Sequence, residues 1–321
     1  MEEGYNETLE VKDHPPASGV LPMSITGSQV LEKPEILEKT IHSPKIVEMV
    51  VRSPMIARKA RAGQFVIVMA DESGERVPLT IADFDRDRGT VTLVLMVVGT
   101  STAKLSKFEV GDSLHALIGP LGKASEIEPF DTVIMIGGGL GAAPIYPIAR
   151  AFHEAGTRVI MIQGSRSADL LFWSDRLWAV SDEYILTTDD GSTGRKTLVT
   201  EPLRELLEAD RETKRIGCVY AIGPGPMMKF CSLTTDPFGV RTVVSLNSIM
   251  IDGTGMCGGC RVELKSKKTD GTETTITRFT CTDGPEFDGN AVLWDRFLAR
   301  HRIYCEQEKC SLDRYVEKTG G

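Results

Sequence analysis

Strand-like runs fill the first third of the chain. Ile46–Arg52 reads IVEMVVR, Gln64–Ala70 reads QFVIVMA and Thr90–Val98 reads TVTLVLMVV. Polar turn stretches separate them at Asp71–Glu75 and Asp85–Gly89, and Gly111–Asp112 precedes a further strand over Ser113–Ile118. Short strands punctuated by turns predict an antiparallel barrel or sandwich over residues 35–127.

Near residue 131 the period changes. Thr132–Ile136 is an apolar run of strand length, Gly137-Gly138-Gly139-Leu140-Gly141 follows, Ala142–Glu154 has helical composition, and Arg158–Ile162 is a second apolar strand. This is a βαβ unit, which predicts a parallel sheet. Tyr184–Thr188, the helical Thr197–Ala209 and Cys218–Ile222 continue the alternation, giving an α/β domain over 128–240. From Thr242 small residues and cysteines concentrate in Asp252–Cys260, a strand-like RVELK follows, and Trp294–Lys318 reads as one or two terminal helices. Residues 241–321 form a third, small C-terminal domain. Residues 1–34 show no sustained period and read as an extension, a disordered or draped arm.

Composition narrows the function classes. The 321 residues suffice for two or three domains, and 41% hydrophobic with 26% charged residues is ordinary globular usage. Lys+Arg is 37 against 45 Asp+Glu, a net charge of -8. That balance argues against nucleic acid or an anionic membrane as the main partner. The longest uncharged stretch, Thr132–Ala149, is broken by glycines and prolines, and the acidic N-terminus has no apolar leader. A cytoplasmic, non-membrane protein is expected. Seven cysteines without a secretion signal point away from a disulfide framework and toward metal binding.

The glycine loop has a physical use. Glycines allow close backbone approach to a pyrophosphate, and the following helix N-terminus offers unpaired N–H groups. The segment reads GGGLGAAP, not G-x-G-x-x-G, with Pro144 in the first helical turn. A tight turn that binds nothing is the alternative. Two later segments, Thr187–Ser192 and Gly223-Pro224-Gly225-Pro226-Met227, also follow strands, at the carboxyl ends where ligands bind such sheets. Gly164-Ser165-Arg166 stands where adenosine ribose is usually read, and Arg166 is open between a 2′-phosphate contact, adenine stacking and a solvated side chain. The candidate nucleotide contacts are Gly138, Gly139, Leu140, Gly141, Pro144, Gly164, Arg166, Asp190, Gly191, Gly223, Pro224 and Met227. Gly119-Pro120-Leu121-Gly122-Lys123 is not a P-loop: Leu117 stands where a glycine is required and Ala124 replaces the Mg-binding hydroxyl. ATP binding is excluded, and Gly119 and Gly122 remain as candidate cofactor contacts.

Arg76–Asp83 (RVPLTIAD) is followed by Val97–Thr102 (VVGTST). Alone, these read as an edge-strand proline and a polar turn. A barrel before a nucleotide-binding α/β domain resembles the ferredoxin–NADP reductase superfamily, whose flavin motif is Arg-x-[Tyr/Pro]-[Ser/Leu]-[Thr/Ser]. The resemblance implies that Arg76 supports the flavin phosphates. Thr80, the small hydroxyl residue, would approach the isoalloxazine, Gly99, Thr100, Ser101 and Thr102 would form a pyrophosphate loop, and Pro78, Leu79 and Val98 are further cofactor-binding candidates beside them.

Cys257-x2-Cys260 with Cys281 suits an iron–sulfur or a zinc site. Asp252-x4-Cys257-x2-Cys260 has the spacing of plant-type iron–sulfur runs with Asp in the first place. Zinc would need a fourth ligand, and the nearest histidine in sequence is His301. Asp252 also suits a turn ahead of Gly253. Together with RVPLTIAD and GGGLGAAP, Ser245–Asn247 (SLN), Ile249–Cys260 (IMIDGTGMCGGC) and Cys281–Gly289 (CTDGPEFDG) resemble the small subunits of NADH-dependent reduced ferredoxin:NADP⁺ oxidoreductases over roughly residues 35–300.

The resemblance implies a [2Fe–2S] cluster on Asp252, Cys257, Cys260 and Cys281, together with FAD and NAD(H), NADP(H) being the other nucleotide. It also implies a large FAD/[4Fe–4S] partner similar to the glutamate synthase small subunit, through which ferredoxin is reached. The electron-transfer subunit of dihydroorotate dehydrogenase shares the layout with four cysteines, and a stand-alone NAD(P)H reductase is a further alternative. Residues 1–34 and the pair Cys305 and Cys310, read as free thiols, depart from the family pattern. Nicotinamide moves two electrons and a cluster one, so flavin stands between them and no side-chain acid or base is required.

Overall fold

The structure, a computed structural model, describes residues 33–301, 303 and 305–319. The arm expected over 1–34 lies outside the described residues except for Lys33 and Pro34.

Strands β1 (Ile36–Ser43), β2 (Ile46–Arg52), β3 (Phe65–Met69), β4 (Val77–Asp85), β5 (Thr90–Met96) and β6 (Ala116–Leu121) pair antiparallel in the order β1-β2-β5-β4-β3-β6. The two edges meet: Ile36 N–H donates to Asp112 O at 2.8 Å and Leu114 N–H to Pro34 O at 2.9 Å, closing the barrel. Ile36, Met49, Val51, Val66, Ile81, Leu93 and Leu95 fill it. Helices α1 (Pro54–Lys59) and α2 (Thr100–Ser106) were not anticipated from the sequence. The strand expected at Ser113–Ile118 is β6, three residues later; Gly119-Pro120 lies inside it.

Strand β4 decides where the barrel opens. Val77–Thr80 pairs only with β3, and pairing with β5 begins at Ile81. Pro78, which has no N–H to give a ladder, therefore sits on a local edge. Among the described residues no strand pairs with the other side of Pro78–Thr80.

The second sheet holds β7 (Thr132–Gly138), β8 (Arg158–Ser165), β9 (Glu183–Thr188), β10 (Arg195–Lys196), β11 (Ile216–Ile222), β12 (Arg241–Ser245) and β15 (Glu286–Asp288), ordered β10-β9-β8-β7-β11-β12-β15. All pairs are parallel except β12–β15. Alternate residues of the buried strands feed opposite layers. Val133, Met135, Val159 and Met161 meet α3 (Ala142–Glu154) and α4 (Ser174–Ala179), whereas Ile134, Ile136, Ile160 and Ile162 face the layer of α5 (Thr200–Ala209) and α6 (Gly225–Thr235). The parallel sheet was expected to end near 240. It instead runs on through β12, and β15 from the C-terminal region completes its edge. Chain order reverses between β7 and β11, the switch point at which such sheets bind ligands.

The C-terminal region adds the hairpin β13 (Arg261–Lys267) and β14 (Glu273–Phe279), α7 (Thr280–Asp283), α8 (Trp294–His301) and α9 (Cys305–Thr319). Trp294 and Phe297 of α8 pack into the core under α6. Among the described residues no helix is long and apolar enough to cross a membrane.

Candidate functional site

A cleft of about 1120 Å³ runs from the free edge of β4 across the carboxyl ends of the parallel strands to the segment before the cysteines. Pro78, Leu79, Thr80, Val98 and Thr102 line its barrel side. Gly138, Gly139, Leu140, Gly141, Pro144, Gly164, Arg166, Gly223, Pro224 and Met227 line its α/β side.

The glycines divide by physical role. A Cβ on Gly141 would lie 2.0 Å from the Ile222 carbonyl oxygen, and one on Gly138 would lie 2.2 Å from the Met227 sulfur. Gly141 is therefore required for close packing of the β7 turn on the end of β11, whereas Gly138 faces the flexible side chain of Met227 in α6. Gly139, with φ +53°, has nothing among the described residues within 4 Å of such a Cβ and leaves the cleft floor open.

Eight sequence candidates lie away from the cleft lining. Arg76 is exposed. Thr102, not Ser101, organises the barrel loop: its hydroxyl accepts the Val98 and Gly99 N–H groups at 3.1 Å each and donates to Gly99 O at 2.9 Å. Gly99 thus serves as the α2 cap. Ser101 donates to Glu75, and Thr100 meets Ser311 of α9 at 3.0 Å. Gly119 abuts Val66, and Gly122 lies under Phe65 and Pro285. The Asp190 carboxylate accepts Ser192 N–H and Oγ–H at 2.9 and 2.6 Å, which hold it below the usual carboxylate range. Gly191 packs on Lys196. The preceding residue, Asp189, is the acid that lines the cleft.

The cleft also takes Asn247 and Met250, from the SLN and IMIDGTGMCGGC segments, and Lys45, Arg204 and Phe230, which carry no motif and come from distant stretches of sequence. At its far end the Ser165 hydroxyl is buried and has no hydrogen-bond partner among the described residues.

Phe65 and Met250 line the cleft and also pack against Cys260 and Cys281. These two cysteines are buried, with sulfurs 3.1 Å apart. Burial and the neighbouring Cys260 thiol push the Cys281 thiol up to about 12, while the Gly255 N–H acts in the opposite sense. Cys257 is exposed, and its sulfur accepts the Gly259 N–H at 3.3 Å. Positive φ at Gly253, Gly255 and Gly258 folds the Asp252–Cys260 segment into a loop beside Cys281. The Asp252 carboxylate accepts the Thr254 and Cys257 N–H groups at 2.8 and 2.7 Å, and these bonds lower its pKa. Among the described residues, no three His, Cys, Asp or Glu side chains converge at metal-binding distance. Cys218 and Cys231 are buried, with thiols raised to about 12 by desolvation, as suits packing residues.

Residues 247–293 match the iron–sulfur cluster binding domain of dihydroorotate dehydrogenase B, and residues 135–232 match the oxidoreductase NAD-binding domain. The chain is 44% identical over 265 residues to a dihydroorotate dehydrogenase B (NAD⁺) electron transfer subunit homolog of Thermotoga maritima, covering 83% of this chain and 89% of that one. It is 31% identical over 231 residues to the dihydroorotate dehydrogenase B (NAD⁺) electron transfer subunit of Fusobacterium nucleatum, covering 70% and 84%. The chain belongs to the dihydroorotate dehydrogenase B electron transfer subunit family. As a member it is an electron-transfer oxidoreductase subunit. The structure is also similar to a chain of an NADH-dependent reduced ferredoxin–NADP oxidoreductase described for flavin-based electron bifurcation. That match has a TM-score of 0.78 and 40% identity over 88% of this chain and 98% of that one. A ferredoxin–NADP⁺ reductase of Neisseria gonorrhoeae, 19% identical with a TM-score of 0.54 over 64% of this chain and 91% of that one, shares the fold.

Proposed function

We propose that the chain relays electrons between NAD(H) and FAD in the cleft and a [2Fe–2S] cluster at the cysteines, and from there to a partner subunit of an electron-bifurcating ferredoxin–NADP oxidoreductase. The supporting observation is continuity: one cleft joins the free edge of β4, the switch point of the parallel sheet and, through Phe65 and Met250, the buried cysteines.

The residues suit these groups. The free backbone edge of Pro78–Thr80 and the flat glycine floor admit a planar ring system between barrel and sheet. Thr102 holds the Val98–Gly99 backbone beside the same cleft. Cys260 and Cys281, with paired sulfurs, suit two ligands of one metal ion; Cys257 and Asp252, on the adjoining loop, would supply the other two anionic donors once the loop brings them to bonding distance. Bound flavin supplies the exchange between two-electron nicotinamide and one-electron cluster chemistry. The protein's own work is to orient both rings, exclude water with an apolar lining and hold the cluster beyond Phe65 and Met250.

A bifurcating complex is favoured by the 40% identical structure, which the chain covers almost completely. Dihydroorotate dehydrogenase is the second reading, favoured by the names of the sequence relatives. Anaerobic purification of the complex from its source tests both. The expected product carries FAD, iron and acid-labile sulfide, is bleached by NADH, and co-elutes with a large flavin/iron–sulfur chain. A zinc-containing product without iron or acid-labile sulfide overturns the cluster; co-elution with a dihydroorotate-oxidising chain selects the second reading.

A further inference from the structure

The far end of the cleft carries two guanidiniums, Arg166 and Arg204, beside one carboxylate, Asp189. Several contacts bring this end together. Asp189 N–H donates to Ser165 O at 3.0 Å, and Val199, just before α5, packs so closely on Gly164 that a Cβ there would meet it at 2.3 Å. Arg204 stands one turn into α5 from Thr200, and both line the cleft. The buried, unpaired Ser165 hydroxyl marks this end as incomplete without a ligand, because an unsatisfied buried polar group is costly.

Two arginines at a ribose site would normally invite a phosphate. Arg204 is already engaged: its Nη1 donates to both Glu201 carboxylate oxygens at 3.0 Å. We propose that the Glu201–Arg204 ion pair withholds Arg204 from a 2′-phosphate and so selects NAD(H) over NADP(H) at this site. The proposal rests on the reading of the cleft as a nicotinamide-nucleotide site. A 2′-phosphate would have to displace Glu201 from Arg204 while standing near two carboxylates, Glu201 and Asp189. A ribose 2′-hydroxyl meets no such repulsion and supplies the partner that Ser165 lacks. The pair is about half exposed on both sides, so its hold is that of a surface ion pair and a single substitution can release it.

Calorimetric titration of the full FAD-loaded chain with NAD⁺ and with NADP⁺ tests this. Wild type is expected to bind NAD⁺ more tightly. Glu201→Gln should raise NADP⁺ affinity about tenfold, and NAD⁺ affinity much less, because it removes one charge from beside the phosphate and frees one guanidinium. Adding Arg204→Ala to Glu201→Gln should abolish that gain. Ser165→Ala should weaken NAD⁺ more than NADP⁺, whose 2′-oxygen carries the phosphate and has no hydroxyl to pair with Ser165. If NAD⁺ binds but Glu201→Gln leaves the NAD⁺/NADP⁺ ratio unmoved, or the double variant keeps the gain, the ion-pair assignment falls alone. If wild type binds neither nucleotide, the reading of the cleft falls and the assignment falls with it.

Discussion

The indole N–H of Trp173 donates to the Glu48 carboxylate at 2.8 Å, joining barrel strand β2 to the α/β layer just before α4. Glu48 is buried and also meets His42 Nε2 at 2.6 Å, while Arg176 stacks over the Trp173 ring at 4.4 Å. Trp173 holds φ +57°, an uncommon conformation for a bulky residue, which persists where surrounding contacts over-determine it. Both cleft walls therefore keep their relative placement partly through this buried contact.

Trp173→Phe keeps the ring but removes the donor from a buried carboxylate. The expected cost is about 1–3 kcal/mol, the penalty for leaving a buried acceptor under-satisfied. Urea denaturation checks it; an unchanged midpoint would mean that His42 and the Arg176 ion pair at 3.6 Å satisfy Glu48 without Trp173.

Glu286 predicts a pH dependence. Its carboxylate lies at the edge strand β15, accepts the Ser125 hydroxyl and faces Glu126 and Arg241; desolvation raises its pKa from 4.5 to about 7. Between those values the folded chain holds a proton that the unfolded chain has released. Stability from this group is thus full below pH 4.5, falls as pH rises toward 7, and levels off above. The loss is at most about 3 kcal/mol. Unfolding free energies at pH 5 and pH 8 should converge in Glu286→Gln relative to wild type.

Gly141→Ala tests the packing role of the glycine turn. The new Cβ would press on backbone, the Ile222 carbonyl, which cannot swing aside as a side chain would. The expected destabilisation is about 1–3 kcal/mol, with nucleotide affinity reduced because β7 and β11 flank the cleft. Thermal unfolding and NAD⁺ titration together measure it; a variant with wild-type stability would show that the turn can open without cost.

What the sequence exposed follows from physical locality. The buried parallel strands β7, β8 and β11 read as unbroken apolar runs, because both faces are covered, and the turns after them are local in sequence. Strand β1, ILEKTIHS, carries no apolar alternation: Ile36, Leu37 and Ile41 are its apolar residues, and Ile41 is exposed. Strand β6 was displaced because Gly119-Pro120 resembles a turn yet lies within the strand. Strand β15 is three residues long and joins a sheet whose other strands end at 245, a contact no local pattern encodes. Within the candidate site the same limit holds: Asp189 and Asp190 are neighbours in sequence, and only backbone geometry decides which one faces the cleft. Lys45 and Arg204 reach it from separate layers.

The cluster loop carries the most discriminating prediction. Asp252 has two possible duties, as a cluster ligand and as the turn residue whose carboxylate accepts the Thr254 and Cys257 N–H groups. Asparagine is itself a favoured turn residue and keeps a carbonyl acceptor, but it brings no negative charge to a metal. A pure turn role therefore survives Asp252→Asn with full iron, whereas a ligand role does not. We expect Asp252→Asn and Asp252→Ala to lose iron while FAD stays bound, since the flavin cleft is lined by other residues. Asp252→Cys should retain iron with an altered EPR signal and reduction potential, because thiolate restores the charge and donates more covalently than carboxylate. Cys281→Ala serves as the reference for a lost ligand, given its sulfur 3.1 Å from that of Cys260. Iron and acid-labile sulfide content, flavin content and EPR of the four variants decide the matter. Full iron and an unaltered signal in Asp252→Asn would assign Asp252 to the turn and place the fourth ligand elsewhere.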